Sequence, residues 1–240
     1  MADSILMILL ERTTDKEADA LIDQYAPLIQ YLGNACRVHD VRGYNQTLEA
    51  LSYETLWRAV IVLEPIVVGT RYKAISERLI QFARNGGTVI FEGRFGRLLR
   101  PQDLNAYFEK VWCIGWRYGA VSEAWEYALN PASDLRRAMP DQHPDMPRYY
   151  QFSGLQLANV AIQDSVYLPK WPQTTERERR GPKIVSGGGM MMEHEPEKWQ
   201  KLSPIAFAKY GRGWIGWSGE NSPSGYKPWT VEVLGAMCGL

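Results

Sequence analysis

Gly86-Gly87-Thr88-Val89-Ile90-Phe91-Glu92-Gly93-Arg94-Phe95-Gly96 is the stretch that decides the fold. A β-branched, apolar run leaves a glycine pair and stops at a polar turn that contains two more glycines. Open α/β sheets use a buried strand followed by such a turn to carry side chains to their carboxyl edge, where ligands sit. The middle residue of the turn is ordinarily a nucleophile, Ser or Cys. Here it is Arg94.

Working outward, residues 70–85 form the clearest helix, with Ala74, Ile75, Leu79, Ile80, Phe82 and Ala83 as its apolar stripe and Asn85-Gly86-Gly87 as its end. Before it, residues 59–63 read as a strand that ends at Glu64-Pro65, and residues 47–57 as a short helical segment. Residues 36–41 are a second strand. The run Ile5 to Leu10 is too short for a helix and reads as a first buried strand, with Glu11 and Arg12 at its end. The helix that follows carries Ala18, Leu21, Ile22, Tyr25, Leu28, Ile29 and Leu32, and Gly33 closes it. Strands alternating with helices in this way predict an α/β fold with a mainly parallel, doubly wound sheet. Neither G-x-G-x-x-G nor G-x-x-x-x-G-K-[ST] occurs, which disfavours dinucleotide and P-loop nucleotide binding.

Past Gly96 the pattern loosens. Residues 101–111 read as a helix, followed by an aromatic-rich section through Trp112, Trp116, Tyr118, Trp125 and Tyr127, and by a Pro- and Arg-rich excursion at 130–147. Residues 155–160 and 165–169 read as strands. A charged loop covers 170–182, and a loop with a glycine and a methionine triplet covers 186–202. Residues 204–210 and 213–217 make a hairpin about Gly211-Arg212, and 229–238 a closing helix. The expectation is one domain over residues 1–240, with an irregular insertion at about 97–150 and long loops at 170–203.

The totals narrow the function classes. The 27 basic and 27 acidic residues cancel, leaving no general field for nucleic acid or an anionic membrane. Cys36, Cys113 and Cys238 are too few and too scattered for a disulfide framework or a zinc finger, and fit a reducing compartment. Met1 to Ser4 has no basic stretch and the apolar run after it is too short to be a signal peptide or a membrane span, so a cytoplasmic protein is expected. All three cysteines read as packed residues and His39 as a structural histidine. Glu193-His194-Glu195 has no second histidine at ligand spacing, so no metal and no cofactor are expected. Met190-Met191-Met192 reads as an apolar loop tip. Nine Trp and thirteen Tyr either fill the core or exceed its needs, and aromatics beside Gly, Arg or Glu in loops often line pockets or subunit contacts; a homo-oligomer is expected.

The order of strand, long helix, Gly-Gly, strand and glycine turn resembles the class I glutamine amidotransferase-like superfamily, in its ThuA-like and β-galactosidase trimerisation-domain branches. In active amidotransferases the turn reads G-x-C-x-G. Against that pattern Gly96 matches, Glu92 replaces the first glycine and Arg94 takes the cysteine position. Those enzymes carry a histidine after a late strand, in a motif like F-H-P-E, whereas the late strand here runs into Ser218-Gly219-Glu220-Asn221. The resemblance therefore implies the fold without glutaminase activity, which needs a thiolate and a histidine.

Glu11, Arg12, Glu64, Glu92, Arg94 and Glu220 all fall just beyond expected strands and so gather at one sheet edge. Glu92, Arg94 and Glu220 are the candidate catalytic groups. Glu11, Arg12, Glu64, Trp116 and Tyr118 are candidate ligand contacts, with the aromatics as a roof over the edge. Two functions fit this pattern: a binding or assembly module for a small polar or aromatic metabolite, and a hydrolase, lyase or isomerase using carboxylate and arginine groups. The plain alternative is that the acids and arginines are structural ion pairs closing the sheet edge.

Overall fold

The computed structural model describes residues 3–10, 15–138, 146–170, 202–220 and 227–240. Its centre is a six-stranded sheet of β1 (Ser4–Ile8), β2 (Arg37–Val41), β3 (Trp57–Val62), β4 (Thr88–Phe91), β9 (Ile205–Tyr210) and β10 (Gly213–Ser218). The strands run in the order β2-β1-β3-β4-β10-β9. All neighbours pair in parallel except β9, which forms the antiparallel hairpin with β10 expected about Gly211-Arg212. The order reverses between β1 and β3, the switch point of a doubly wound sheet.

Successive residues of a strand point to opposite faces, and here both faces are covered, which is why the strands read as unbroken apolar runs. Leu6, Ile8, Val60, Val62, Val89 and Phe91 pack with Ile75, Leu79 and Phe82 of helix α3 (Lys73–Arg84) and with α2 (Tyr44–Ser52). Ile5, Met7, Ala59, Ile61 and Ile90 face the other way. They meet Tyr25, Leu28 and Leu32 of α1 (Asp15–Gly33) and Val233, Leu234 and Met237 of the C-terminal helix, Pro228–Met237.

The section expected to be irregular is a second sheet. β5 (Arg117–Leu129) and β6 (Tyr149–Ala158) pair along most of their length, flanked by β7 (Tyr167–Pro169) and β8 (Leu202–Ser203) in the antiparallel order β7-β5-β6-β8. The pairing slips at Tyr118/Ala120 and again at Ser122/Trp125. Those bulges break the two-residue period that would have revealed a strand. Between β4 and β5 the chain makes a short α4 (Phe95–Leu98), then α5 (Pro101–Ala106), which widens into a π-helical turn at Tyr107–Val111. A short α6 (Asp134–Ala138) lies in the Pro- and Arg-rich excursion; the C-terminal helix is α7.

The second sheet closes off part of the first. β6 crosses the carboxyl end of β10: the Leu155 N–H donates to the Gly219 carbonyl at 2.9 Å, Gly154 bridges Glu220, and Trp217 Nε1 donates to the Leu155 carbonyl at 3.4 Å. The chains approach so closely that any Cβ on Gly219 would strike the Leu155 carbonyl. No helix among the described residues is long and apolar enough to cross a membrane.

Candidate functional site

β3, β4 and β10 are adjacent and parallel, so the residues just past them meet at one edge. Val62 pairs with Phe91 and Phe91 with Trp217, which brings Glu64, Glu92, Ser218 and Glu220 to neighbouring strand ends. All four are buried. Strand alternation then divides them. Phe91 packs with the α3 face and Ile90 with the α1/α7 face, so Glu92 shares the α1/α7 side, whereas Glu64 has the parity of Val62 and the α3 side.

Arg94 reaches the buried Glu64. Its Nη1 lies 3.6 Å from Glu64 Oε1, and its side chain keeps 29% of its surface exposed while that of Glu64 keeps 2%. A part-exposed arginine thus stands beside one buried acid, Glu64, with a second buried acid, Glu92, at the next strand end. Gly93 has φ +86°, the left-handed conformation of the elbow, and Arg94 comes one residue later at the start of α4. The elbow position is therefore Gly93, not Arg94. A Cβ there would strike the Tyr25 hydroxyl, which arrives from α1, and would lie 3.0 Å from the Leu63 carbonyl.

Glu220 is the centre of a buried network on the α1/α7 side. The Tyr150 hydroxyl donates to Glu220 Oε2 at 2.8 Å and lies 3.2 Å from Thr230 Oγ1. Burial raises the Glu220 carboxyl above its ordinary value, against the hydrogen bond from Tyr150 and the charge of Lys227. Burial, then the charge of Glu220 and more weakly that of Glu92, pushes the Tyr150 phenol well above its ordinary range. A carboxyl raised by burial and hydrogen-bonded by a phenol is a pairing that acid–base work can use.

Glu11 and Arg12 lie outside the described residues, as do the Glu193-His194-Glu195 and Met190 to Met192 stretches. Trp112 and Trp116, expected in the roof, are core residues. Trp116 is buried against Phe108 at 5.6 Å between ring centroids, and Phe108 packs edge-on to Phe91 and Trp217 in the core. Trp112 joins the same stack, 5.4 Å from Phe91. Tyr118 is half-buried on β5, its N–H donating to Asn105 Oδ1 at 2.7 Å. With Trp112 filling the interior, the chain turns outward at Cys113, which has φ 55° and is exposed instead of packed. Cys238 is buried as expected and Cys36 half-buried. Among the described residues no three His, Cys, Asp or Glu side chains are grouped to hold a metal ion.

Tyr25, Tyr150 and Thr230 were not foreseen. Tyr25 sits in the apolar stripe of α1, where its ring reads as core; the one signal was a phenol in an otherwise aliphatic row. Tyr150, near the start of β6, falls at the end of the stretch expected as an irregular insertion.

No protein-family model matches the chain, and no curated protein matches it. Among solved structures, a ThuA-like protein of Bacteroides uniformis superposes with a TM-score of 0.56 at 9% identity, covering 98% of this chain and 89% of its own. The fold is ThuA-like. A β-galactosidase of the haloarchaeon Halorubrum lacusprofundi gives 0.47 at 13% identity over 99% of this chain, which spans 30% of that enzyme's length. A cytoplasmic protein of Salmonella typhimurium gives 0.48 at 10% identity, over 98% of this chain and 96% of its own. Scores this low add nothing to the layout already described. Two grooves of this ThuA-like fold, about 570 and 550 Å³, lie away from the Glu92–Glu220 edge: one at the opposite end of the sheet, the other between Pro65 to Thr70 and the Leu99 to Val111 segment.

Proposed function

We propose that the chain is an amidotransferase-like module without glutaminase activity, which binds a small polar molecule through Arg94 at the carboxyl edge of β3 and β4. The elbow carries the first half of this reading. A nucleophile needs a Cβ at the left-handed position of the turn, and the Tyr25 hydroxyl occupies that place beside Gly93. The second half rests on Arg94, whose guanidinium is held by a buried carboxylate at one nitrogen and stays part-exposed. A planar fork fixed in this way suits a carboxylate or carbonyl oxygen. The module assembles with copies of itself and works in the cytoplasm.

The test has two arms. Glutamine incubated with the protein should release no ammonia; release at an enzymatic rate overturns the first half. A panel of small acids, amides and polyols is then screened by thermal shift. Any molecule that raises the wild-type melting temperature should lose that effect in Arg94→Ala, and an unchanged shift overturns the second half. One observation favours a second reading, an acid–base enzyme: the Glu220 carboxyl is raised and hydrogen-bonded by Tyr150. Turnover of a screened ligand, abolished in Glu220→Gln with binding retained, would establish it over the module.

A further inference from the structure

The amino end of the parallel sheet, opposite the Glu92 edge, carries the larger groove, about 570 Å³, a size that suits a small molecule. Its floor is flat because Gly87 lies directly on the Phe82 ring, where any Cβ would collide, and because the exposed Gly86 has open space around its Cα. Trp57, half-buried at the start of β3, gives one aromatic wall and is braced edge-on by His39 at 5.4 Å between centroids. Two guanidiniums border this apolar floor. Arg58 donates through Nη1 to the Gly239 carbonyl at 3.0 Å and has Asp3 at 3.8 Å from Nη2. The exposed Arg212 donates through Nη2 to the Asn85 carbonyl at 3.3 Å, and among the described residues no carboxylate pairs with it. The acid of the groove, Glu54, is turned to Asn85, whose Nδ2 donates to it at 2.8 Å. The groove therefore joins an aromatic wall to an exposed guanidinium, Arg212, that no carboxylate among the described residues pairs with, the acid Glu54 being held by Asn85.

We propose that this groove binds a small aromatic carboxylate, with the ring against Trp57 and the carboxylate on the guanidinium of Arg212. The Asn85 carbonyl at one end of the Arg212 guanidinium fixes its plane without neutralising its charge, which leaves further N–H groups for a bidentate anion. An aromatic ring adds stacking area that an inorganic anion cannot use.

Benzoate is the probe, titrated against the full chain by calorimetry, with benzyl alcohol, benzylamine and inorganic phosphate as controls. Benzoate should bind in the millimolar range or tighter, and the three controls at least about tenfold more weakly, the difference expected for a hydrogen bond to a charged group. Arg212→Ala and Arg212→Gln, both at an exposed turn, should each weaken benzoate about tenfold or more while leaving the melting temperature of the free protein in place. Trp57→Leu should weaken benzoate but not phosphate. No binding of benzoate to the wild type, equal binding of benzyl alcohol or phosphate, or unchanged affinity in both Arg212 variants overturns the proposal.

Discussion

Gly93 makes a testable statement at the scale of one residue. Its φ of +86° is costly for any other amino acid, and a methyl group there meets the Tyr25 hydroxyl. Gly93→Ala should cost about 1–3 kcal/mol in urea melts, from backbone strain and overpacking together. Tyr25→Phe removes the oxygen the methyl meets. The double variant should therefore lose less than the two single changes added, by about 0.5 kcal/mol or more; strict additivity would mean that the hydroxyl and the elbow do not touch. Arg94→Ala takes a guanidinium from a buried carboxylate and should destabilise by about 1–2 kcal/mol, below the cost of breaking a fully buried pair because the arginine is part-exposed. Arg94→Lys should recover part of that loss, and a melt identical to wild type in Arg94→Ala would show the contact to be idle. Asp164 sets a pH dependence. Burial, then the charge of Asp134, pushes its carboxyl up to about 6 from 3.8. The folded chain keeps a proton there that the unfolded chain has already released, so this contribution to stability is full below the unfolded value and is lost as pH rises through about 6. Urea melts of wild type and Asp164→Asn between about pH 4 and pH 7 should show the wild type losing stability relative to the variant. Equal slopes would contradict the shift.

Among the elements, the crossing of β6 over β10 is what buries Glu220. Gly219→Ala should push the two strands apart at a cost of about 1–3 kcal/mol and speed hydrogen exchange at the Leu155 amide, whose acceptor is Gly219. Protection at Leu155 equal to wild type would contradict the crossing as the seal of that edge. The parallel strands were legible in the sequence because burial on both faces demands unbroken apolar runs, as in Ile5 to Leu10 and Thr88 to Phe91. β5 was not. Its bulges and Gly119, pressed against Leu202 and the Gln156 carbonyl, hide a regular period behind aromatic and glycine residues. The site was half legible for the same reason. Position after a parallel strand puts Glu64, Glu92 and Glu220 at neighbouring strand ends, as the register does, but which face each took depended on parity and on a turn whose strained residue lay one place earlier than the motif suggested. The roof over the edge depended on β6, which arrives from a part of the chain whose pairing could not be read.

On the whole-molecule scale, three of the nine Trp are taken up internally, where Trp112, Trp116 and Trp217 stack with Phe91 and Phe108. One surface open to self-association is the edge strand β2, none of whose residues is buried, with Tyr53 and Leu56 each 53% exposed on the segment that follows α2. Light scattering at micromolar concentration should give a mass above that of one chain, and a monomer mass would refute assembly. The strand order has a consequence for synthesis. β4 ends at Phe91, yet the strand that covers its far side, β10, starts only at Gly213. At ribosomal rates of about 5–20 residues per second, the open backbone of β4 waits roughly 6–25 s for that partner to be made. Through that interval the nascent chain displays a fully apolar strand with one unpaired rim, the kind of surface that trigger-type chaperones or neighbouring polysomes capture.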